Sequence, residues 1–330
     1  MATVTTHLSP KAATQLELSN KERIRIIRAG SFITLKRTEE VLDALEDMLH
    51  APRVTRPKNL LLIGDPNNGK STILEHFLET SNGPADPSTE KAAIKVVMIN
   101  APPAGDRKDF YVRILEALFA VYNPTASHTV LRPQAVRLFR DHGIEVLIVD
   151  ELHDALSGTE RQQNLFNAEL KQFSNETKAR IAAAGLEKAG TLFIRDTQMT
   201  SRFKRMFLEP FKADKNLGTL LATMEKRLPL RHPSNLKDPR VVAEVANRSE
   251  GAIGDVCDLI EHCAIAVIKS GATPECITLK TIQNIDWQRP TARKAFTRLG
   301  RDNAAKEQRD ADKAFALNHE RSDDDSEGGF

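Results

Sequence analysis

Cysteine is scarce in this chain: three residues in 330, an odd number that fits no closed disulfide framework. Nowhere does an apolar run approach the ~20 residues that a membrane-spanning helix needs. Met1 to Asn20 also lack the basic, apolar and small-residue succession of a secretory leader. These absences imply a cytoplasmic, reducing compartment and no membrane role. Charge of one sign is lacking too, with 47 Lys and Arg against 45 Asp and Glu for a net of +2. That balance leaves nucleic-acid binding open, because phosphates are met by local clusters rather than by the chain total. No internal repeat is present.

What is present is the composition of a globular protein, 40% hydrophobic and 28% charged, long enough for one large domain and a smaller one. Residues 1–19 are polar and aperiodic and read as a flexible arm. Residues 20–58 carry helices, the first basic and capped near Ser19 or Asn20, the second following Thr38 with Val41, Leu42, Leu45, Met48 and Leu49 at helical spacing. Lys21, Arg23, Arg25 and Arg28 in the first, and Arg289, Arg293, Lys294, Arg298 and Arg301 near the end, read as solvated faces.

From Asn59 the pattern changes. Short apolar runs at Asn59 to Ile63, Lys95 to Ile99, Glu145 to Val149 and Arg180 to Ala184 suit buried parallel strands, with a short fifth at Arg205 to Leu208. Amphipathic stretches alternate with them at Ser71 to Leu78, Phe110 to Tyr122, Pro133 to His142 and Leu165 to Phe173. Alternation of this kind predicts an α/β domain over 59–211, a parallel five-stranded sheet flanked by helices. After Pro210 only helical patterns remain, giving a small helical domain over 212–288. Its best helix puts Val256, Leu259, Ile260, Cys263, Ala264 and Val267 on one stripe. Cys257, Cys263 and Cys276 lack the spacing of a metal site and read as structural thiols. Residues 289–330 turn charged, end in Asp323-Asp324-Asp325-Ser326-Glu327, and are expected to be disordered.

The chemistry lies in the first strand-to-helix turn. Gly64-Asp65-Pro66-Asn67-Asn68-Gly69-Lys70-Ser71, followed by Thr72, fits the phosphate-binding P-loop. Gly64 and Gly69 permit a backbone that turns N–H groups inward at a helix N-terminus, where an anion is stabilised. Lys70 then reaches the β and γ phosphates of ATP, and the Ser71 hydroxyl ligates Mg2+. A carboxylate at the end of a neighbouring strand is needed to hold the metal. Val149-Asp150-Glu151 supplies it: Asp150 supports the metal, and Glu151 is placed to polarise the attacking water. Asp150-Glu151-Leu152-His153 also spells the DExH motif of helicases, but a helicase needs two similar motor domains and residues 212–330 read as helices and tail.

These features resemble an AAA+ ATPase: the P-loop, the acidic strand end, Ser201-Arg202-Phe203 before a short strand, and a helical C-terminal lid. Within AAA+ proteins the chain is similar to the TniB/TnsC-type ATPases of bacterial transposons, related to MuB. That likeness covers roughly residues 20 to 288, through Leu61-Leu62-Ile63-Gly64, Ile148 to His153, Leu228-Pro229-Leu230-Arg231 and Gly251-Ala252-Ile253-Gly254. The resemblance implies that an arginine before the fifth strand reaches the γ phosphate bound by a neighbouring subunit, here Arg202, with Arg205 as alternative.

It further implies ATP-dependent self-association into a ring or helical filament on double-stranded DNA, recruitment of a DDE transposase, and a TniQ-like adaptor or guide complex as a further partner, in the bacterial cytoplasm. The DNA-contacting surface expected is the loop after the second strand, with Arg107 and Lys108 beside Lys91 and Lys95. A non-transposon AAA+ switch, such as a helicase loader or signalling ATPase acting on protein, is the alternative. Two departures from the family pattern imply slow hydrolysis. The fourth strand ends at Ala184-Gly185 without a polar sensor, Glu187 being the nearest polar side chain, and Gly251 to Asp258 lacks the lid arginine.

Overall fold

A computed structural model describes residues 7–82, 94–194 and 197–293. The apolar runs form β1 (Asn59–Gly64), β2 (Val96–Asn100), β3 (Val146–Asp150), β4 (Arg180–Gly185) and β5 (Phe203–Leu208). All neighbouring strands pair in parallel, in the order β2-β3-β4-β1-β5. Successive strand residues point to opposite faces. Leu61 and Ile63 thus join Val97, Leu147 and Ile181 on one face, and Leu60 and Leu62 join Val96, Val146 and Ala182 on the other.

Helices cover both faces, which is why the strands read as unbroken apolar runs. The first face packs against α5 (Arg107–Ala117), α6 (His128–Asp141) and α7 (Glu160–Thr177). The second packs against α3 (Lys36–His50) and α4 (Lys70–Ser81), through Val41, Leu45, Leu74 and Phe77. Two short helices, α8 (Thr191–Ile194) and α9 (Thr197–Arg202), lead into β5.

The regular elements of the second unit, among its described residues, are all helices: α10 (Lys215–Arg227), α11 (Pro239–Ser249), α12 (Ile253–Ser270) and α13 (Leu279–Asn284). The expected stripe on α12 is buried at every position from Val256 to Val267. Each Val, Leu or Ile side chain of that stripe contributes on the order of 1.5–3 kcal/mol when fully buried. The cysteines are free thiols. Burial pushes the Cys257 thiol up to about 11 and the Cys263 thiol up to about 12, so neither is a ready nucleophile.

Several expectations need correction. From His7 onward the N-terminal segment is docked rather than loose: α1 (Pro10–Gln15) is capped by Ser9, buries Ala12, and Ser9 N donates to Lys226 O at 2.8 Å. Arg23 on α2 (Asn20–Ala29) is not on a solvated face. It is fully buried and donates to Glu275 Oε1 at 2.6 Å and to Pro229 O at 2.8 Å.

Helix α5 stops at Ala117, short of the expected Tyr122. Ala120 N donates to Leu115 O and Phe119 N to Glu116 O, a Schellman closure with Phe119 in the left-handed region (φ 51°). Phe119 and Val121 are left almost wholly exposed. Helix α6 begins before Pro133 instead of at it: extended Ser127 holds the N-cap position without a side-chain cap bond, and the proline is accommodated inside. Lys91, Lys294, Arg298, Arg301 and the acidic end lie outside the described residues.

Candidate nucleotide-binding site

The turn from β1 to α4 surrounds the N-terminus of a 12-residue helix whose N-cap, Gly69, offers no capping side chain. The first N–H groups of α4 are therefore available to an anion. Gly69 has φ 82° and Asn67 φ 59°, the left-handed values that turn the loop back on itself. Gly64 acts differently from the expectation of conformational freedom: a Cβ there would lie 3.0 Å from Leu208 O, so glycine lets β5 approach closely. Asn68, fully buried, donates its amide to the same Leu208 carbonyl and fixes the loop to the end of β5.

Lys70 is nearly buried, and its ammonium donates to Gly64 O at 2.9 Å and Asp65 O at 2.8 Å. Desolvation lowers its pKa, opposed by the charges of Glu151, Asp150 and Asp65. Ser71 Oγ donates to Asp150 Oδ2 at 2.5 Å, while Asp150 Oδ1 accepts from Glu151 N at 2.7 Å. A hydroxyl and a carboxylate brought together at a phosphate cradle fit Mg2+, which takes one or two protein oxygens and completes its shell with waters and phosphates. Among the described residues no group of three His, Cys, Asp or Glu forms a separate metal site.

A cavity of about 420 Å³ opens over these groups, lined by Pro66, Asn67, Asn68, Gly69, Lys70, Ser71, Thr72, Glu151, His153 and Leu186. Glu151 sits just past β3 with φ 51° and a side chain 43% exposed, and its Oε2 is 3.1 Å from His153 Nδ1. His153 was not singled out by sequence as a site residue. Its signal in the sequence is its place as the fourth residue of Asp150-Glu151-Leu152-His153. Glu187, the nearest polar residue after β4, is exposed and does not line the cavity.

The lid meets the loop directly. Gly254 N donates to Asn67 O at 2.9 Å, and Asn67 Nδ2 donates to Asp255 Oδ2 at 3.0 Å. Arg293 also reaches the buried Asp255 and lies over the Trp287 ring.

Arg202 stands elsewhere, at the end of α9 immediately before β5, with Nη1 donating to Asn175 Oδ1 at 2.9 Å. Since β5 runs six residues parallel to β1, Arg202 lies about 20 Å of strand away from the P-loop end of the sheet. Arg205 is exposed on β5. Arg107 and Lys108 form the first turn of α5 rather than a loop. Lys108 Nζ donates to Pro124 O at 2.8 Å and Arg107 Nη1 lies 3.9 Å from Glu169 Oε2. Lys95 precedes β2 and so stands at the other end of that strand from them.

Among known structures the fold is similar to the Aeropyrum pernix ORC2 protein in its ADPNP-ADP complexes, at TM-score 0.55 and 15% identity, over 79% of this chain and 72% of that one. It is similar also to CDC6P from Pyrobaculum aerophilum, at TM-score 0.54 and 15% identity, covering 76% and 67%. Drosophila ORC bound to DNA matches at TM-score 0.52 and 16% identity, covering 80% of this chain and 64% of that one. These likenesses establish the AAA+ fold. No curated protein matches. The family model described as bacterial TniB protein matches residues 23–213, more than half of the chain, and with the P-loop, acidic strand end and lid all in place the chain belongs to the bacterial TniB family.

Proposed function

We propose that the protein is an ATP-dependent DNA-binding regulator of transposition. The observation that carries the ATP part is the Ser71–Asp150 pair at 2.5 Å beside Lys70, a hydroxyl, a carboxylate and an ammonium converging on one helix N-terminus. Mg2+, held by Ser71 and Asp150, would neutralise phosphate charge. Lys70 and the loop N–H groups hold the phosphates. Glu151 accepts a proton as water oxygen attacks the γ phosphorus and the bond to the ADP oxygen breaks.

Membership of the TniB family supports the transposition part. On this reading ATP-bound chains associate head to tail, Arg202 of one completing the site of the next, into a ring or filament on double-stranded DNA. The assembly then engages a DDE transposase, with a TniQ-like adaptor or guide complex as a further partner, and slow hydrolysis releases it. Arg107 and Lys108 are the basic pair we assign to DNA. Gel mobility of a duplex with and without Mg-ATP tests the proposal. Nucleotide-dependent retardation that fades with added salt is expected; ATP turnover without any DNA retardation would favour the alternative of an AAA+ switch acting on protein.

A further inference from the structure

We infer that His153 is the positioning residue for Glu151, standing in for the polar side chain that β4 does not provide at its end. The inference rests on the ATPase reading above and extends it.

Three observations converge. First, β4 closes without a side chain to offer: a Cβ on Gly185 would meet Ala189 Cβ at 2.8 Å and come within 3.4 Å of His153 N, so the end of that strand is pressed against the His153 backbone. Second, His153 lines the phosphate cavity together with Lys70, Ser71 and Glu151, while Glu187 does not. Third, Nδ1 lies 3.1 Å from Glu151 Oε2 yet off the line of a hydrogen bond, and it is a buried polar atom with no hydrogen-bond partner. The other ring nitrogen is 3.9 Å from Asp154 Oδ1, too far to hold the ring in place.

A buried nitrogen without a partner costs roughly 1–3 kcal/mol. It is tolerated where a small motion restores the bond. Rotation of either side chain would bring Nδ1–H into line with Oε2, removing that cost and fixing the carboxylate toward Lys70, where the phosphates are bound. The charge of Glu151 is already felt at Lys70, opposing the effect of burial on the ammonium. Glu151 needs such a guide. Its backbone is left-handed, its side chain is 43% exposed, and the Asp150 carboxylate that accepts from its N–H fixes the backbone but not the side chain.

The test uses the full chain with Mg-ATP and duplex DNA, measuring kcat, KM and the affinity for a fluorescent ATP analogue. His153→Ala is expected to lower kcat about ten-fold or more while affinity stays within about two-fold. His153→Asn, whose amide nitrogen can occupy the place of Nδ1, should recover a substantial part of kcat. In a Glu151→Gln background, His153→Ala should have no further effect.

A His153→Ala chain that turns over like wild type overturns the inference. So does an equal loss in His153→Ala and His153→Asn, or an additive loss in the Glu151→Gln background. Affinity for the analogue reports whether each variant is folded, and if His153→Ala loses it, His153→Asn against Glu151→Gln decides. A wild-type chain that binds no ATP removes the ATPase reading itself, which is a different failure.

Discussion

Asn67 of the phosphate-binding loop donates its side-chain amide to Asp255 at the start of lid helix α12, across 3.0 Å. The backbone of the same asparagine accepts from Gly254 N at 2.9 Å. One loop residue thus holds the lid twice, and any shift of the loop on binding phosphate is handed to α12.

A methyl group at position 254 should break this joint. A Cβ there would stand 2.1 Å from Asn67 Oδ1 and 2.4 Å from its Cγ, so the asparagine must leave. Gly254→Ala is expected to cost about 1–3 kcal/mol of stability and to weaken ATP binding about ten-fold. Gly190→Ala, where a Cβ meets nothing within 4 Å, is the control. Thermal melts and nucleotide titration read both.

Asp150 and Ser71 should separate metal dependence from phosphate binding. Ser71→Ala removes the hydroxyl that donates to Asp150 Oδ2. The variant is expected to keep nucleotide affinity in EDTA and to lose most of the gain that wild type shows on adding Mg2+. An unchanged Mg2+ gain in a titration would remove Ser71 from the metal's coordination.

Arg202 is expected to act on a neighbour. Arg202→Ala should bind ATP as wild type does and lose about 10²-fold or more in turnover. Lys70→Ala should bind no ATP but still present its arginine. Mixing the two inactive variants should restore measurable turnover, and a mixture that stays silent at every ratio would refute action in trans.

Arg23 is a stability prediction. Glu275 would be raised by burial, but the Arg23 hydrogen bond, the Arg231 N–H and the charges of Arg23 and Arg231 outweigh that and lower its pKa. The stability this carboxylate contributes is present above its ordinary value near 4.5 and is lost as pH falls below that through the folded value. Arg23→Ala leaves the buried carboxylate without its main partner and should cost about 3 kcal/mol at neutral pH. Urea unfolding at pH 7 and pH 4 checks both: the gap between variant and wild type should narrow at the lower pH.

The elements legible in the sequence are those where one physical signal dominates. The strands carrying Leu60 to Ile63 and Val146 to Val149 are buried on both faces, so every position is apolar, and the P-loop is spelled by a phosphate's own demands. Less legible are places where contact across the fold overrides local pattern. Arg23 looks like surface charge until Glu275, 252 residues away, is brought against it. Phe119 continues the apolar spacing of α5, yet the chain has already reversed under it in a left-handed turn. Pro133 invites a helix start that Ser127 takes instead. His153 and Asn67 gain their roles from Gly185 and Gly254 alongside, residues whose contribution is the absence of a side chain.

The six residues of β5 that keep Arg202 and the P-loop at opposite ends of the sheet also set a rule of dosage. On the proposed reading, a chain alone can hold its nucleotide but not finish the ring of charge around it. Specific activity then rises with concentration, and copy number in the cell becomes a threshold below which the protein is merely stored.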